Sequence, residues 1–585
     1  MCGFTLLYKK TKAKLNVHEI NKLRTIQIHR GPDTKSYKIK DNIYFFHNRL
    51  KIIDLNNSSN QPLICRRTGN IILFNGEIYN YNEIKQLYLK KQIFKTNSDT
   101  EVILKLYEKY GYNFFDKLNG IFSFVIYDKK NGHIITCRDR FGIKPLYCFE
   151  NDKNLIFSTE IRPINLINNL KISHKSIINY LKFGELCVGS ETLFKNVYNH
   201  DTSTVNVYST KLKKRIKSFK FWHLKKDKNL ECRSREEFLE NYHYFFKKSL
   251  NLNLVSDQPI GLALSSGIDS SYLLNRLQNE NLNNYNTYTF GWNNKKYDEI
   301  NLTRNNKDIN IDLFRSLKID LSDFFENLNN SIFYHESPIG GFGTYALFML
   351  FEKVKKDGVK VMLTGEGSDE FNLGYLPHHA AFLNEIKNKK KKINELKIFN
   401  KIYKKNLTLN EIKKYFLNNT ITAPDGTSLG DNHNAKIISL NQMIKLYAFK
   451  NKLPKLLHFL DRCGGAHGIE SRVPFLDHEL VNFTYNNPPE YKIYNGQVKS
   501  NLIREYKNNK TRKKLLVATP QREFIKKNYK KMLNLLENGE LVKNEFVDFK
   551  KIKAETLKYA NSNKLGNSFF MWKYLNIEFF LKNFN

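Results

Sequence analysis

Apolar residues come in short runs through the first half of the chain, and the stretches NIYFFHN, NIILFNG and GIFSFVIYD are set apart by Gly, Asn and Asp. Short runs bounded by turn formers predict antiparallel strands. Between them TEVILKLYEKYG has a helical period: Val102, Ile103, Leu106 and Tyr107 share one face and Gly111 ends the run. Helices are therefore expected to cover sheets. From about residue 230 the order becomes strand, loop, long helix, strand, as in PIGLALSSGIDSSYLLNRLQ and KVMLTGEGSDEF, which predicts a parallel α/β sheet. In the first of these the strand is expected to end at Leu264 and the helix to begin near Ser271. The basic segment TKLKKRIKSFKFWHLKKDKN between the two regimes reads as a last strand plus linker. The boundary near residue 228 divides the chain into 1–228 and 229–585. NNTITAPDGTSLGDNHNAK reads as an exposed loop of the second domain.

A chain of 585 residues is too long for one ordinary core, so two large domains are the expectation. No stretch approaches the ~18 apolar residues of a membrane span, and the N-terminus lacks a secretory pattern, so a cytoplasmic location is expected. The net charge of +38 invites a nucleic-acid reading. The lysines, however, are interleaved with Asn, Ile, Tyr and Phe throughout, and the one dense run, Lys387 and Lys389 to Lys392, reads as a solvated face. That distribution argues against a nucleic-acid partner. Seven cysteines without paired spacing argue against zinc and against a disulfide framework, and six of them read as buried small apolar side chains.

Cys2 stands apart. Removal of the initiator Met would leave its thiol beside its own α-amine, whose ordinary pKa of about 7.7 to 8 lets it act as a base without a histidine. The motifs that follow are HRGPD at His29 to Asp33, HNRLKIIDL at His47 to Leu55, NGEIYN at Asn75 to Asn80, SDTE at Ser98 to Glu101 and RDRFGIKPLY at Arg138 to Tyr147. In order and spacing they resemble the class II glutamine amidotransferases. The resemblance implies an N-terminal nucleophile αββα sandwich, with Cys2 attacking the glutamine side-chain amide to give a thioester and ammonia. Arg49 and Asp99 are a suitable cation and anion for the two charged ends of a free amino acid. Asn75 and Gly76 suit an oxyanion hole, each donor there worth roughly 3 kcal/mol. Glu77 and the backbone at Ile52 and Ile53 resemble the rest of the glutamine pocket.

In the second half, GLALSSGIDSSYLL places a Ser/Gly loop between strand and helix, where backbone amides with the Ser265 and Ser270 hydroxyls can hold pyrophosphate. The absence of Gly-Lys-Ser/Thr favours cleavage between the α- and β-phosphates over γ-transfer. The loop, Ser265, Ser266, Gly267, Asp269 and Ser270, resembles the SGGxDS loop of ATP pyrophosphatases, with Ser266 replacing the first glycine. If that position needs φ > 0 the serine costs about 1 to 3 kcal/mol of strain; otherwise it adds a phosphate donor. KVMLTGEGSDEFNLGY, LPKLLHFLDRCGGAHGIESRVPFLD and ATPQREF complete a resemblance to asparagine synthetases. It implies a parallel-sheet ATP-pyrophosphatase domain with helical additions, with Leu264, Phe290, Thr364 and Gly365 on ATP. By the same resemblance Asp269 and Asp369 hold Mg²⁺, Glu366 serves acyl-adenylate formation and ammonia attack, and Lys499 faces ATP. FNLGY and GGA depart from the family pattern, and Lys499 is one residue further from Arg504 than in that pattern. Glu470, Arg472 and Asp477 read as domain-packing residues. The implied substrates are glutamine, ATP and aspartate. A different carboxylate, such as a sugar uronic acid, stays open as acceptor, as does a homodimer.

Overall fold

The computed structural model describes residues 1–186, 189–279, 285–304, 309–403, 406–412, 439–503, 519–562 and 566–585. The loop expected at 418–436 lies outside them. Two six-stranded antiparallel sheets build the first domain. One contains β1 (Gly3–Lys9), β2 (Thr34–Lys40), β3 (Ile43–Arg49), β8 (Tyr147–Glu150), β9 (Asn154–Ser158) and β10 (Val197–Asn199), in the order β10-β8-β9-β1-β3-β2. The other holds β4 (Leu63–Ile64), β5 (Ile71–Ile78), β6 (Gly120–Asp128), β7 (His133–Arg138), β11 (Thr204–Ser209) and β12 (Lys214–Lys220), in the order β12-β11-β7-β6-β5-β4.

Phe4, Leu6 and Phe45 of the first sheet meet Ile71, Leu73 and Val125 of the second. Outside the second sheet, α3 (Asp99–Tyr110) packs Val102, Ile103 and Leu106 on Phe74 and Phe124, with α2 (Tyr81–Tyr88) beside it. Outside the first, α1 (Val17–Thr25), α4 (Arg162–Asn168) and α5 (His174–Phe183) bury Leu23, Ile164 and Ile177 against Leu7, Phe46 and Ile156. The result is an αββα sandwich. Because its middle strands are covered on both faces, β1, β3, β5 and β6 are buried almost throughout, whereas β12 at the edge exposes nearly every residue. Ser98 caps α3 by accepting from the Thr100 N–H, and Gly111 at φ +57° ends it.

The second domain opens with α6 (Arg235–Asn253) and has a parallel sheet of β13 (Ile260–Ala263), β14 (Asn286–Trp292), β15 (Phe314–Ile319), β16 (Val361–Leu363) and β17 (Glu470–Arg472), ordered β15-β14-β13-β16-β17. The chain leaves β13 outward through β14 and β15, then crosses to β16 on the other side. A crevice at the carboxyl ends of β13 and β16 is the expected ligand position in such a sheet. The helix after β13, α7 (Ile268–Asn279), starts three residues before the expected Ser271, and the strand stops at Ala263. Ser270 Oγ donates to the Ser265 carbonyl while the Ser265 N–H donates back to Ser270 Oγ, so the loop is closed tightly and Ser271 N–H already reaches the Gly267 carbonyl. The basic run begins the Lys389–Tyr403 helix with Lys389, Lys390 and Lys391 exposed. Cys65, Cys137 and Cys463 are buried as expected; Cys148 and Cys232 are only half-buried, and Cys187 lies outside the described residues. No helix among the described residues is long and apolar enough to cross a membrane.

Charged residues that are nearly solvent-free join the two domains. The Leu453–His467 helix sends Asp461 to Arg30, 3.0 Å away, and Arg462 to Glu160 at 3.1 Å and Glu336 at 2.8 Å. Arg162 pairs with Glu160 at 2.7 Å, and the Glu336 carboxylate accepts the Ile161 and Arg162 N–H groups that open α4. Three guanidinium groups thus face three carboxylates. Burial holds His29, 2.9 Å from Glu160, below the ordinary histidine range. Glycines of the departing GGA block make the approach possible: a Cβ at Gly465 would fall 2.6 Å from Arg30 Nη1. Glu470, beside Lys144 at 3.6 Å, and Asp477, which accepts from Asn119 Nδ2 at 2.9 Å, add further links across the junction.

Removing one member of such a cluster leaves its partners buried and unpaired, at a cost of about 3 to 5 kcal/mol. Arg462→Ala is expected to lower the denaturation midpoint accordingly in urea titrations. A loss below about 1 kcal/mol, the range of exposed pairs, would show that the cluster does not hold the domains.

Candidate active sites

Cys2 precedes β1, with its thiol donating to the Leu50 carbonyl at 3.8 Å and its own carbonyl accepting from Arg30 Nε at 3.2 Å. Burial pushes this thiol up, while the neighbouring amine, the Leu50 contact and the Arg49 guanidinium pull it down. Burial also lowers the amine of Met1, to about 5, against the opposing pull of the Glu470 charge. On β5, Asn75 and Gly76 lie opposite Ser123 and Phe122. Asn75 is wholly buried, yet neither its side-chain oxygen nor its nitrogen has a hydrogen-bond partner among the described residues. A buried amide left unmatched is costly unless something else uses it. Gly76 is at φ +139°, and a Cβ there would lie 2.0 Å from the Ile121 carbonyl.

Arg49 ends β3 and spends its guanidinium on the following loop: Asn56 O at 2.8 Å, Asn60 Oδ1 at 3.0 Å, Ile53 O at 3.2 Å and Asp54 O. It fixes the segment that carries Ile52 and Ile53. That segment also reaches the second domain, since the Asp257 N–H donates to Ile52 O at 3.0 Å and the Asp54 N–H to Asp257 at 2.8 Å. Asp99, at the start of α3, accepts the Ile78 N–H at 2.8 Å. Burial pushes its carboxyl up to about 6. Burial, then the charges of Asp99 and Glu470, push Glu77 well above the ordinary carboxylate range. Cys2, Arg49, Glu77 and Asp99 therefore share one buried electrostatic environment with Glu470 and Arg472 of the second domain.

In the second domain the loops after β13, β14 and β16 converge. Leu264 N–H bonds the Tyr288 carbonyl at 2.8 Å, and half-buried Phe290 follows on β14. Ser266 is absent from the positive-φ residues, so it carries no such strain. Its N–H and hydroxyl both donate to Glu299 Oε1, at 2.9 and 3.0 Å. Gly267 N–H bonds Ser265 Oγ at 3.1 Å. After β16, Thr364 N–H holds Arg472 O at 3.0 Å, and Gly365 sits where a Cβ would lie 3.0 Å from the Asp269 Cβ. Lys499 Nζ bridges Asp269, at 2.6 and 2.8 Å, and Asp369, and Ser368 Oγ donates to Asp269 at 2.6 Å. Burial, then the Asp269 and Asp369 charges, push Glu366 up against the pull of Thr364. Two carboxylates from adjacent loops already share one cation, and their hard oxygens suit a magnesium ion.

The sequence expectation missed Glu299, Ser368 and Gly374. Ser368 and Gly374 stand inside a quoted motif and could have been weighed there; Glu299 follows β14 in a segment without a motif, and only strand order brings it to the loop. The helix end at Cys463 and Gly464 was also missed as a connection. Gly464 lies where a Cβ would be 3.1 Å from Met1 Cε, while the charge of Glu366 bears on Cys463.

The chain matches the family model described as a glutamine amidotransferase domain over residues 1–222 and the model described as asparagine synthase over residues 242–554. It is 29% identical over 495 residues to asparagine synthetase (glutamine-hydrolysing) 2 of Bacillus subtilis, covering 79% of this chain and 63% of that relative. It is 26% identical over 573 residues to asparagine synthetase (glutamine-hydrolysing) 1 of the same species, covering 90% and 88%. Amidase chry2 of Gibberella zeae is 26% identical over 552 residues, with 83% and 81% covered.

Asp99 supplies a test of the first site's electrostatics. A carboxyl raised by burial binds a proton in the folded state that the unfolded chain has lost, so stability falls as pH rises toward about 6. Two units correspond to a cost on the order of 3 kcal/mol once ionised. Asp99→Asn should therefore raise the melting temperature at pH 7.5 and change it little at pH 4; a pH-independent effect would contradict burial as the cause.

Proposed function

The chain belongs to the asparagine synthase family, as a glutamine-hydrolysing ligase with an amidotransferase domain ahead of the synthase domain, and we propose that it makes asparagine from aspartate, glutamine and ATP. The domain boundary is near residue 228. With Met1 removed, Cys2 attacks the glutamine amide carbon, its own neutral amine taking the thiol proton. The unmatched Asn75 amide and the Gly76 N–H hold the tetrahedral oxyanion, Asp99 meets the substrate ammonium, and Arg49 with the loop it fixes borders the carboxylate end. Ammonia leaves and water releases glutamate from the thioester.

In the second domain the Ser265 to Ser270 loop and Lys499 bind the ATP phosphates, with Leu264, Phe290, Thr364 and Gly365 around the nucleotide. The aspartate side-chain carboxylate attacks the α-phosphorus and pyrophosphate departs. Asp269 and Asp369 would hold Mg²⁺, which when bound supplies charge neutralisation of the phosphates. Ammonia then adds to the acyl carbonyl, giving up a proton to Glu366, and AMP leaves. Burial that raises Glu366 makes it the better base for this step. One observation supports the coupling of the two reactions: the Leu453–His467 helix packs on the chain start at Gly464, where a Cβ would lie 3.1 Å from Met1 Cε, and the charge of Glu366 is felt at the neighbouring Cys463. Ammonia is handed across beside that helix, shielded by the junction.

A second acceptor reading has its own support, because a relative of comparable similarity is named an amidase and the FNLGY departure lies in the synthase domain. In that reading the same chemistry amidates another carboxylate.

A crossed pair of variants tests the division of labour. Cys2→Ala should abolish glutaminase and glutamine-dependent synthesis while ammonia still supports synthesis, and Glu366→Ala should do the reverse, keeping glutaminase; equal loss of both activities in either variant contradicts separate sites. Pyrophosphate release with MgATP, glutamine and a panel of carboxylates decides the acceptor. Aspartate is expected to trigger it, and release only with another acid overturns the asparagine reading.

A further inference from the structure

We propose that Glu299 and Lys499 are internal counter-ions of the nucleotide site, which the phosphates and the divalent cation replace, so that this chain takes up its nucleotide by ion exchange. The proposal rests on reading the second-domain loops as the ATP site.

On the anion side, two donors of one residue, the Ser266 N–H and hydroxyl, converge on a single Glu299 oxygen at 2.9 and 3.0 Å. That is the arrangement a phosphate oxygen takes in a loop of this kind. Glu299 is delivered by strand order: β14 runs parallel to β13, and α8 (Glu299–Arg304) follows it after a short 3-10 turn at Lys295–Tyr297. The serine that replaces the family's glycine supplies one of the two bonds, so that replacement and the Glu299 contact form one feature. A carboxylate and a phosphate cannot occupy these donors together.

On the cation side, Lys499 Nζ lies between Asp269 and Asp369 and is almost wholly buried. Gly374 gives it room, since a Cβ there would fall 1.8 Å from Asp369 Oδ1 and 2.2 Å from Lys499 Cε. Lys499 has φ +53°, a backbone state that residues with a Cβ seldom hold, and its ion pairs offset that strain. The aspartate oxygens that hold this ammonium are those a divalent cation needs. When the cation takes them, Lys499 is released next to the phosphates. When phosphates attract Lys499, the aspartates are released for the cation. Metal and phosphate binding are then positively coupled, and linkage makes the effect reciprocal.

Two binding measurements on the full chain, without turnover, test the exchange. Mn²⁺ titrated without nucleotide and followed by its EPR signal should bind about fivefold or more tightly to Lys499→Met than to the unaltered protein, with Lys499→Gln changing in the same direction. Pyrophosphate titrated calorimetrically in EDTA should bind more tightly to Glu299→Gln, whose folding is checked by its melting curve. Unchanged or weaker binding in either arm overturns the exchange on that side. Adding Asp369→Asn to Lys499→Met should remove the Mn²⁺ gain; if Mn²⁺ still binds as tightly, the aspartates are not the cation seat, and the reading of the site falls together with the exchange.

Discussion

Three arginines and three carboxylates shut away from water between two domains are the constraint on which the rest of this molecule depends. Arg30, Arg162 and Arg462 face Glu160, Glu336 and Asp461, and all of them but Asp461, which pairs with Arg30, have partners from more than one chain segment. Desolvating six charges is costly, and the cost is recovered only if every partner arrives in register. Such a cluster adds little net stability compared with an apolar contact of the same size. It tolerates no sliding, however, and that is what a two-centre enzyme requires of its junction. Glu336 shows the point most directly: one carboxylate from the second domain closes the first turn of α4 in the first domain and pairs with Arg462 as well.

The register carries over to the chemistry through the Leu453–His467 helix. Asp461 and Arg462 anchor it, and the next two residues are placed by that anchoring, Cys463 with its thiol 3.6 Å from His335 Nε2 and Gly464 against the chain start. Small residues follow from the geometry, because a Cβ at Gly464 would fall 2.6 Å from the Ile469 carbonyl and one at Gly465 2.6 Å from Arg30 Nη1. The GGA block is thus a packing solution at the junction. Glu470 and Arg472 extend the same logic on β17. Arg472 donates to the carbonyls of Asn253 and Val255 and to Glu470, while its charge also reaches Glu77 of the first site.

Much of this was legible in the sequence, and the limits have a physical origin. Local periodicity and turn residues announced the sandwich, α3 with its Gly111 stop, the parallel sheet and the loop after β13, because those features are set by neighbours in sequence. The motifs brought Cys2, Asn75, Gly76 and Asp99 to attention for the same reason. Glu299 and Glu336 were invisible because each acts across a distance that only strand order or domain docking closes; Glu336 lies 174 residues from the Arg162 N–H it accepts. The start of α7 was misjudged by three residues because a side-chain hydrogen bond, from Ser270 back to Ser265, decided it. The Ser266 question could not be answered from residue type, since its cost depended on a dihedral angle.

The two centres use burial in opposite ways. At the first, an acid and a thiol are both pushed up by desolvation, so the resting site disfavours charge, and the buried Asn75 amide is left without a hydrogen-bond partner among the described residues. On the proposed mechanism, preorganised neutral dipoles serve well there, because the oxyanion would appear only during reaction. At the second, charge is present from the outset: Asp269, Asp369, Glu366, Glu299 and Lys499 gather around the loops proposed to accept a polyanion. A cluster that dense cannot remain unbalanced, and the ammonium between the aspartates and the carboxylate on Ser266 balance it from within. On the proposed reading, a site for a highly charged ligand that folds before the ligand arrives carries counter-ions of its own, and their positions mark where the ligand's charges would lie.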